Sequence, residues 1–189
     1  MLTARAIPRF CAPRRWATVG RVSDEREILT YELFGTAARE LAETIAADGF
    51  RPDAVIGIAR GGLPLAGALG YALDIKMLGS LNVEFYTGVG TTLDVPIVLP
   101  PTLDQDSLAG KSILLVDDVA DSGRTLKLVV ELLRSRGSEV RTVCLYSKPT
   151  TVEEPTYVWK KTSRWIMFPW SSLGPVAYPE GAAAGYAGH

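Results

Sequence analysis

Apolar positions along this chain form two patterns, one with helical spacing and one of short continuous runs. Between residues 30 and 48 they return every three or four residues, which predicts an amphipathic helix that stops at Gly49. The same spacing predicts helices over residues 64–73, where Pro64 suits the first turn, and from residue 126 until Gly137. Short apolar runs predict strands over residues 54–58, 113–116 and 140–146. Strands and helices therefore alternate, as they do in units that build a parallel sheet.

The two ends of the chain differ from this middle part. Residues 1–23 contain five arginines, two prolines and no acidic residue. We predict a flexible Arg-rich extension over residues 1–27, a folded domain over 28–172 and a flexible Gly- and Ala-rich tail over 173–189. A transit peptide or a nucleic-acid-binding arm would share the composition of the extension, although a dispensable tail or an overlong start is favoured.

Composition predicts a compact enzyme-sized domain with a small ligand. The 189 residues are 47% apolar, and 20 basic side chains face 21 acidic ones, so no overall charge favours nucleic acid. Only Cys11 and Cys144 are present, and no apolar run is long enough to span a membrane, so we expect a cytoplasmic, reducing location. The single histidine is the last residue, which argues against a His-based triad or metal site.

The acidic segment, residues 117–125, follows the strand predicted over residues 113–116. In a strand-loop-helix unit, the loop and the helix N-terminus present backbone N–H groups to an anion. Ser122 and Thr125 add hydroxyl donors, and Gly123 permits close approach of the backbone. Asp117 and Asp118 can accept from vicinal ribose hydroxyls or help to hold a cation. The pattern indicates a phosphate-sugar site, with an Asp-rich helix-capping turn as the alternative.

Residues 116–125 resemble the phosphoribosyl-pyrophosphate (PRPP) motif of type I phosphoribosyltransferases at every position. The resemblance implies an α/β fold, in which helices flank a parallel sheet, with a small hood and a flexible loop. It also implies a homo-oligomer, dimer or tetramer, and Mg²⁺ as cofactor with Asp118 as a tentative ligand. The implied PRPP-binding residues are Asp117, Asp118, Ala120, Asp121, Ser122, Gly123, Arg124 and Thr125.

A second strand-loop-helix junction resembles the pyrophosphate loop of this family. Ala59, Arg60 and Gly61 are the implied pyrophosphate-binding residues, and the family often has a cis peptide bond at the position of Ala59-Arg60. An arginine fork suits a phosphate because it donates two parallel hydrogen bonds. Taken alone, Arg-Gly-Gly would indicate an ordinary turn.

Residues 79–105 are interrupted by glycines and prolines and admit two interpretations. A strand is possible over residues 81–86. The family carries a mobile hood loop here that closes over the reacting sugar and excludes water. A plain exposed hairpin is the equal alternative.

The C-terminal third resembles the base site of the 6-oxopurine enzymes, which act on hypoxanthine, guanine or xanthine. The resemblance implies that Lys148 donates to the exocyclic oxygen, Trp165 stacks on the ring and the backbone of Ile166 reads the purine edge. Clustered tryptophans are usually core residues, which is the interpretation favoured for Trp159 and Trp170. Several such enzymes place a metal-contacting acid where Ser171 and Ser172 stand, so the resemblance implies no ligand for a second metal at this position.

The resemblance implies transfer of a phosphoribosyl group from PRPP to a purine base, with no nucleic-acid or membrane partner. Asp121 is the implied catalytic residue, exchanging a proton with the imidazole nitrogen of the base. Two alternatives stay open: a PRPP-sensing regulator without turnover, and a phosphoribosyltransferase for another base such as uracil or orotate. Against the first, no helix-turn-helix pattern precedes residue 30. Against the second, the Gly- and Asp-rich motif of uracil enzymes is missing after Lys148.

Overall fold

A computed structural model of the protein describes residues 26–84, 87–88, 91–92, 97–98 and 105–176. Three helices carry most of the helical residues: α1 (Tyr31–Ala47), α2 (Gly62–Ala72) and α3 (Arg124–Arg134), with a 3-10 turn at Gln105–Leu108. The strands are β1 (Arg26–Ile28), β2 (Ala54–Ala59), β3 (Leu78–Glu84), β4 (Thr87–Gly88), β5 (Thr91–Thr92), β6 (Ile97–Val98), β7 (Ser112–Ala120), β8 (Glu139–Ser147), β9 (Tyr157–Lys161) and β10 (Trp165–Met167).

A six-stranded sheet in the order β6-β3-β2-β7-β8-β9 forms the centre of the fold. The five strands from β3 to β9 pair in parallel, and only β6 runs antiparallel to its neighbour β3. This arrangement confirms the predicted α/β class with a parallel sheet. Because parallel strands share one direction, the carboxyl ends of β2, β7 and β8 lie at the same edge.

Both faces of the sheet are covered, which explains the unbroken apolar runs in the central strands. One core cluster joins α1 and α2 to one face and includes Leu41, Leu65 and Leu114. The other joins α3 to the opposite face and includes Val129 and Leu115. Leu114 and Leu115 are neighbours in β7 and enter different clusters, as the alternation of a strand requires.

The helix boundaries follow local chemistry. The Thr30 hydroxyl accepts from the backbone N–H of Leu33 at 3.2 Å and caps α1, and Gly49 follows that helix with φ of +74°. Helix α2 begins at Gly62, two residues before the predicted start at 64. Within the described ranges, no helix is long and apolar enough to cross a membrane.

Two small sheets lie outside the central one. Strand β1 pairs in parallel with β10, and β4 pairs antiparallel with β5. The second pair lies within residues 79–105, where a mobile hood loop and a plain exposed hairpin both stay predictions. The predicted end of the extension at residue 27 falls inside β1. The predicted tail lies mostly outside the described residues, as do residues 1–25 of the extension, so the division at 27 and 172 stays a prediction.

Candidate active site

The predicted site residues meet at the carboxyl edge of the central sheet. Ala59 ends β2, Ala120 ends β7 and Ser147 ends β8, and these three strands are adjacent. The Arg60 loop (residues 59–62) begins at the first of these ends, the acidic segment continues past the second, and Lys148 follows the third. Folding therefore brings together three chain segments that the sequence keeps far apart.

Asp117 and Asp118 lie within β7, not in the turn after it. We expected the strand to end at residue 116, but it continues to Ala120 because β8 also supplies partners beyond that point, including Cys144 opposite Asp117. Edge-to-edge pairing thus overrides the low strand preference of aspartate. As a result, both carboxylates are half-buried at the end of the sheet.

Burial and proximity change the titration of this acid pair. Burial raises the pKa of Asp117 well above its ordinary value, and the charge of Asp118 raises it further. Burial also raises the pKa of Asp118, although hydrogen bonds from backbone N–H groups and from the Trp170 side chain oppose the increase. A nearby cation or hydroxyl donors would favour the charged forms of the two carboxyl groups and so lower their pKa values.

The remainder of the acidic segment forms the start of α3. Gly123 is the N-cap with φ of +73°, a left-handed conformation that favours glycine. The Ser122 hydroxyl accepts from the N–H of Arg124 at 3.5 Å, and Thr125 lies in the first helical turn. The first N–H groups of a helix have no intrahelical partner, so this turn is suited to binding an anion.

The covering segment, residues 148–153, packs on the acidic segment and fixes its shape. The N–H of Lys148 donates to Ala120 O and that of Val152 to Ser122 O, both at 3.0 Å. The Thr150 hydroxyl donates to Asp121 O, also at 3.0 Å. These bonds hold the backbone of the predicted phosphate-binding turn from outside.

The Arg60 loop lies directly against the acid pair. The Ala59-Arg60 peptide bond is cis, as the family resemblance implied. A Cβ atom on Gly61 would stand 2.2 Å from an Asp118 carboxylate oxygen, and one on Gly62 would stand 2.3 Å from Val116 O. Only glycines permit this approach, which brings the backbone of the loop against Asp118, and the Arg60 side chain is exposed.

A cavity of about 370 Å³ opens next to the turn and contains all three predicted base-site residues, Lys148, Trp165 and Ile166. The Lys148 ammonium lies 3.2 Å from Asp121 Oδ2 and 5.4 Å from the centre of the Trp165 ring. Trp165 is 67% exposed, so its ring face is available, whereas Ile166 is buried. Trp159 and Trp170 pack at the edge of the core, partly buried, and not inside it.

Three contributions to the site were missed from the sequence. Arg26 lines the base cavity, although we assigned it to the extension. The covering segment carries no motif, since two of its contacts use backbone N–H groups. The Trp170 side chain lowers the pKa of Asp118, where an aromatic cluster suggested only core packing. The Pro169-Trp170 pair after an aromatic run was the one signal that could have indicated this last contact.

Comparisons with known proteins show the family of this chain. Residues 25–172 match the phosphoribosyl transferase domain family. A xanthine-guanine phosphoribosyltransferase of Gluconobacter oxydans is 34% identical over 149 residues, which cover 76% of this chain and 83% of the relative. A hypoxanthine-guanine phosphoribosyltransferase of Lactococcus lactis is 35% identical over 66% of this chain and 68% of its own length.

A solved structure has the same fold along nearly its whole length. The purine phosphoribosyltransferase from Pyrococcus horikoshii superposes with a TM-score of 0.69 at 35% identity, covering 82% of this chain and 99% of that one. The chain therefore belongs to the type I phosphoribosyltransferases, a family of glycosyl-transferring enzymes, and is similar to members named for xanthine, hypoxanthine and guanine.

Proposed function

We propose that this enzyme transfers the 5-phosphoribosyl group of PRPP to a 6-oxopurine, with release of pyrophosphate and formation of a nucleoside 5′-monophosphate. The observation that carries the proposal is the position of the Lys148 ammonium. It lies 3.2 Å from Asp121 and 5.4 Å from the Trp165 ring, in one cavity beside the anion-binding turn. A donor, a proton acceptor and a stacking surface are thus available to one planar base.

The donor chemistry favours an oxopurine over adenine. A lysine ammonium has three donors and no acceptor, so Lys148 suits an exocyclic oxygen and is mismatched to an amino group. A site built to donate to an oxygen discriminates strongly, since the wrong group leaves a buried partner unpaired. Trp165 would stack on the ring, and the backbone of Ile166 would contact the purine edge.

Three groups of predicted residues would bind the three parts of PRPP: its 5′-phosphate, its ribose and its pyrophosphate. The turn from Ala120 to Thr125, including Ser122 and Gly123, would bind the 5′-phosphate with its N–H and hydroxyl groups. Asp117 and Asp118 would accept from the ribose hydroxyls. The Arg60 loop, with its donors beside these carboxylates, would bind the pyrophosphate.

The acid pair fits Mg²⁺ carried largely by the substrate. Among the described residues, no group of three or more His, Cys, Asp and Glu side chains could hold a metal ion. Mg²⁺ in phosphate-binding sites usually takes one or two carboxylates and several substrate oxygens. Burial raises the pKa of both Asp117 and Asp118, so a nearby cation would favour their charged forms. Asp118 would be the ligand, and the bound ion would neutralise charge on the departing pyrophosphate.

Asp121 would be the residue that moves the proton. A purine nitrogen would attack the anomeric carbon as the bond to pyrophosphate breaks, and Asp121 would accept the proton of the imidazole ring. The exposed carboxylate, paired with Lys148, is held in the cavity by the bonds of the covering segment to its backbone. The rest of the protein positions the two reactants and stabilises charge. Assembly as a dimer or tetramer and a cytoplasmic location stay predictions.

The test is pyrophosphate release from PRPP and Mg²⁺ with hypoxanthine, guanine, xanthine, adenine, uracil and orotate supplied one at a time. Release with at least one 6-oxopurine and not with adenine is expected. Release only with a pyrimidine would show that the proposed 6-oxopurine substrate is wrong. Measurable PRPP binding without release with any base would favour a PRPP-sensing regulator.

A further inference from the structure

Arg26 is a charged residue in the base cavity with no role so far. It begins β1, and the parallel pairing of β1 with β10 places it opposite Trp165. Paired residues of adjacent strands project to the same side of a sheet, so the two side chains share one face. Both residues line the cavity that contains Lys148 and Asp121.

No residue that the structure describes forms an ion pair with Arg26. Glu27 is the next residue and projects to the opposite side, where its carboxylate, only 13% exposed, contacts Lys160 Nζ at 2.5 Å. None of the ion pairs found between described residues includes Arg26. Among the described residues, nothing competes with a ligand for its guanidinium.

The described lining of the cavity has one positive charge more than negative charges. Its charged lining residues within the described ranges are Arg26, Lys148 and Asp121. Lys148 and Asp121 form an ion pair at 3.2 Å, which leaves the charge of Arg26 at the β10 end of the cavity. A base held there by Lys148 and Trp165 would meet a second cationic donor on the side of β10.

We propose that Arg26 is a specificity-determining residue that favours a base with an oxygen at carbon two, namely xanthine, over guanine. This inference rests on the proposed transfer to 6-oxopurines. Lys148 takes the oxygen at carbon six, and Arg26 donates to the oxygen at carbon two. Guanine carries an amino group there, which is itself a donor and repels another one, and hypoxanthine carries only hydrogen. Xanthine also ionises more readily than either, which strengthens its attraction to a cation.

Steady-state kinetics distinguish a packing role of Arg26 from a role in base selection. If its aliphatic stem only covers the Trp165 ring, removal of the charge would change all three bases equally. If it selects the oxygen at carbon two, the ratio of kcat/KM for xanthine to that for hypoxanthine would change, and the value for hypoxanthine would hold steady.

The experiment uses the full chain and compares wild type with R26M, R26Q, R26K and the control R136M. Arg136 is also exposed, but it lies after α3, at the far edge of the sheet from the cavity. We measure kcat/KM for xanthine, guanine and hypoxanthine, with melting temperature as the check on folding. R26M and R26Q should lower the xanthine-to-hypoxanthine ratio about tenfold, the usual worth of a charge-assisted hydrogen bond. R26K should retain part of the ratio, and R136M all of it.

The outcomes separate the two proposals. Wild-type turnover of a 6-oxopurine, combined with a ratio that is the same in R26M, R26Q and wild type, would overturn the role of Arg26 alone. An equal loss for all three bases would do the same and leave Arg26 as a positioning residue. Absence of turnover with every 6-oxopurine in the wild type would overturn the proposed function and this inference with it.

Discussion

Gly123 gives the sharpest test of how the anion-binding turn is held. It caps α3 with φ of +73°, and Gly137 follows the same helix with φ of +81°. The two glycines share a backbone conformation but not their surroundings. A Cβ on Gly123 would stand 2.2 Å from Thr151 Oγ1 and 2.8 Å from the N atom of Glu153, whereas one on Gly137 would meet nothing within 4 Å. Alanine at the two positions therefore separates backbone cost from collision.

The expected magnitudes follow from these surroundings. A left-handed alanine costs about 1–2 kcal/mol, which is the whole expected loss of unfolding free energy in G137A. G123A has the same cost and must also displace backbone of the covering segment, which adds about 1–3 kcal/mol. For a domain of this size 1 kcal/mol shifts the melting temperature by about 2–4 °C, so G123A should melt several degrees below G137A.

Thermal unfolding and turnover are measured side by side on both variants. G123A should also lose most of its activity, because the displaced segment holds the backbone of Asp121 and Ser122 through hydrogen bonds of 3.0 Å. G137A should keep wild-type turnover below its melting temperature. Equal destabilisation of the two variants would refute the reasoning, as would full activity in G123A.

Further predictions concern the acids, the lysine and the Arg60 loop. D121N should lower kcat by about a hundredfold or more and leave PRPP binding intact in a calorimetric titration; equal loss of both would remove its role in proton transfer. K148M should lower kcat/KM for 6-oxopurines by about 10–100-fold, and any gain in kcat/KM for adenine should be smaller than that loss. Steady-state rates equal to those of the wild type would contradict the role of Lys148. G61A should destabilise by about 1–3 kcal/mol in urea unfolding, since the whole Asp118 carboxylate must move. Because burial raises the pKa of Asp117 in the folded state, its contribution to stability is present below the unfolded pKa and is lost as pH rises through the folded pKa. D117N should therefore flatten the fall in melting temperature from acidic to neutral pH, and an identical pH profile for wild type and variant would argue against a strained carboxyl.

The central strands and helices were predictable because the types of their own residues indicate which positions are buried. The runs that became β2, β7 and β8 are continuously apolar, since helices cover both faces of the sheet. Gly49 and Gly137 marked helix ends because their positive φ values suit glycine. The anion-binding turn was recognised from hydroxyl, glycine and acid positions that lie close together in the sequence.

The remaining features depend on partners that are distant in sequence. Asp117 joins a strand only because β8 pairs with it, and a local pattern gives no sign of that partner. The three-residue strands β1 and β10 are too short for any periodicity, so the position of Arg26 in the base cavity could not be predicted. The covering segment acts through backbone N–H groups, which every non-proline residue has.

A competition assay tests the central claim most directly. Wild-type enzyme receives PRPP, Mg²⁺ and equal concentrations of hypoxanthine, guanine, xanthine, adenine, uracil and orotate in one vessel, and the nucleoside 5′-monophosphates are separated and identified by mass. Product ratios under competition report ratios of kcat/KM. The account predicts 6-oxopurine nucleotides only, with the xanthine product in excess of the guanine product. Accumulation of the adenine or a pyrimidine nucleotide as the main product would contradict the assignment of Lys148 and, with it, the proposed reaction.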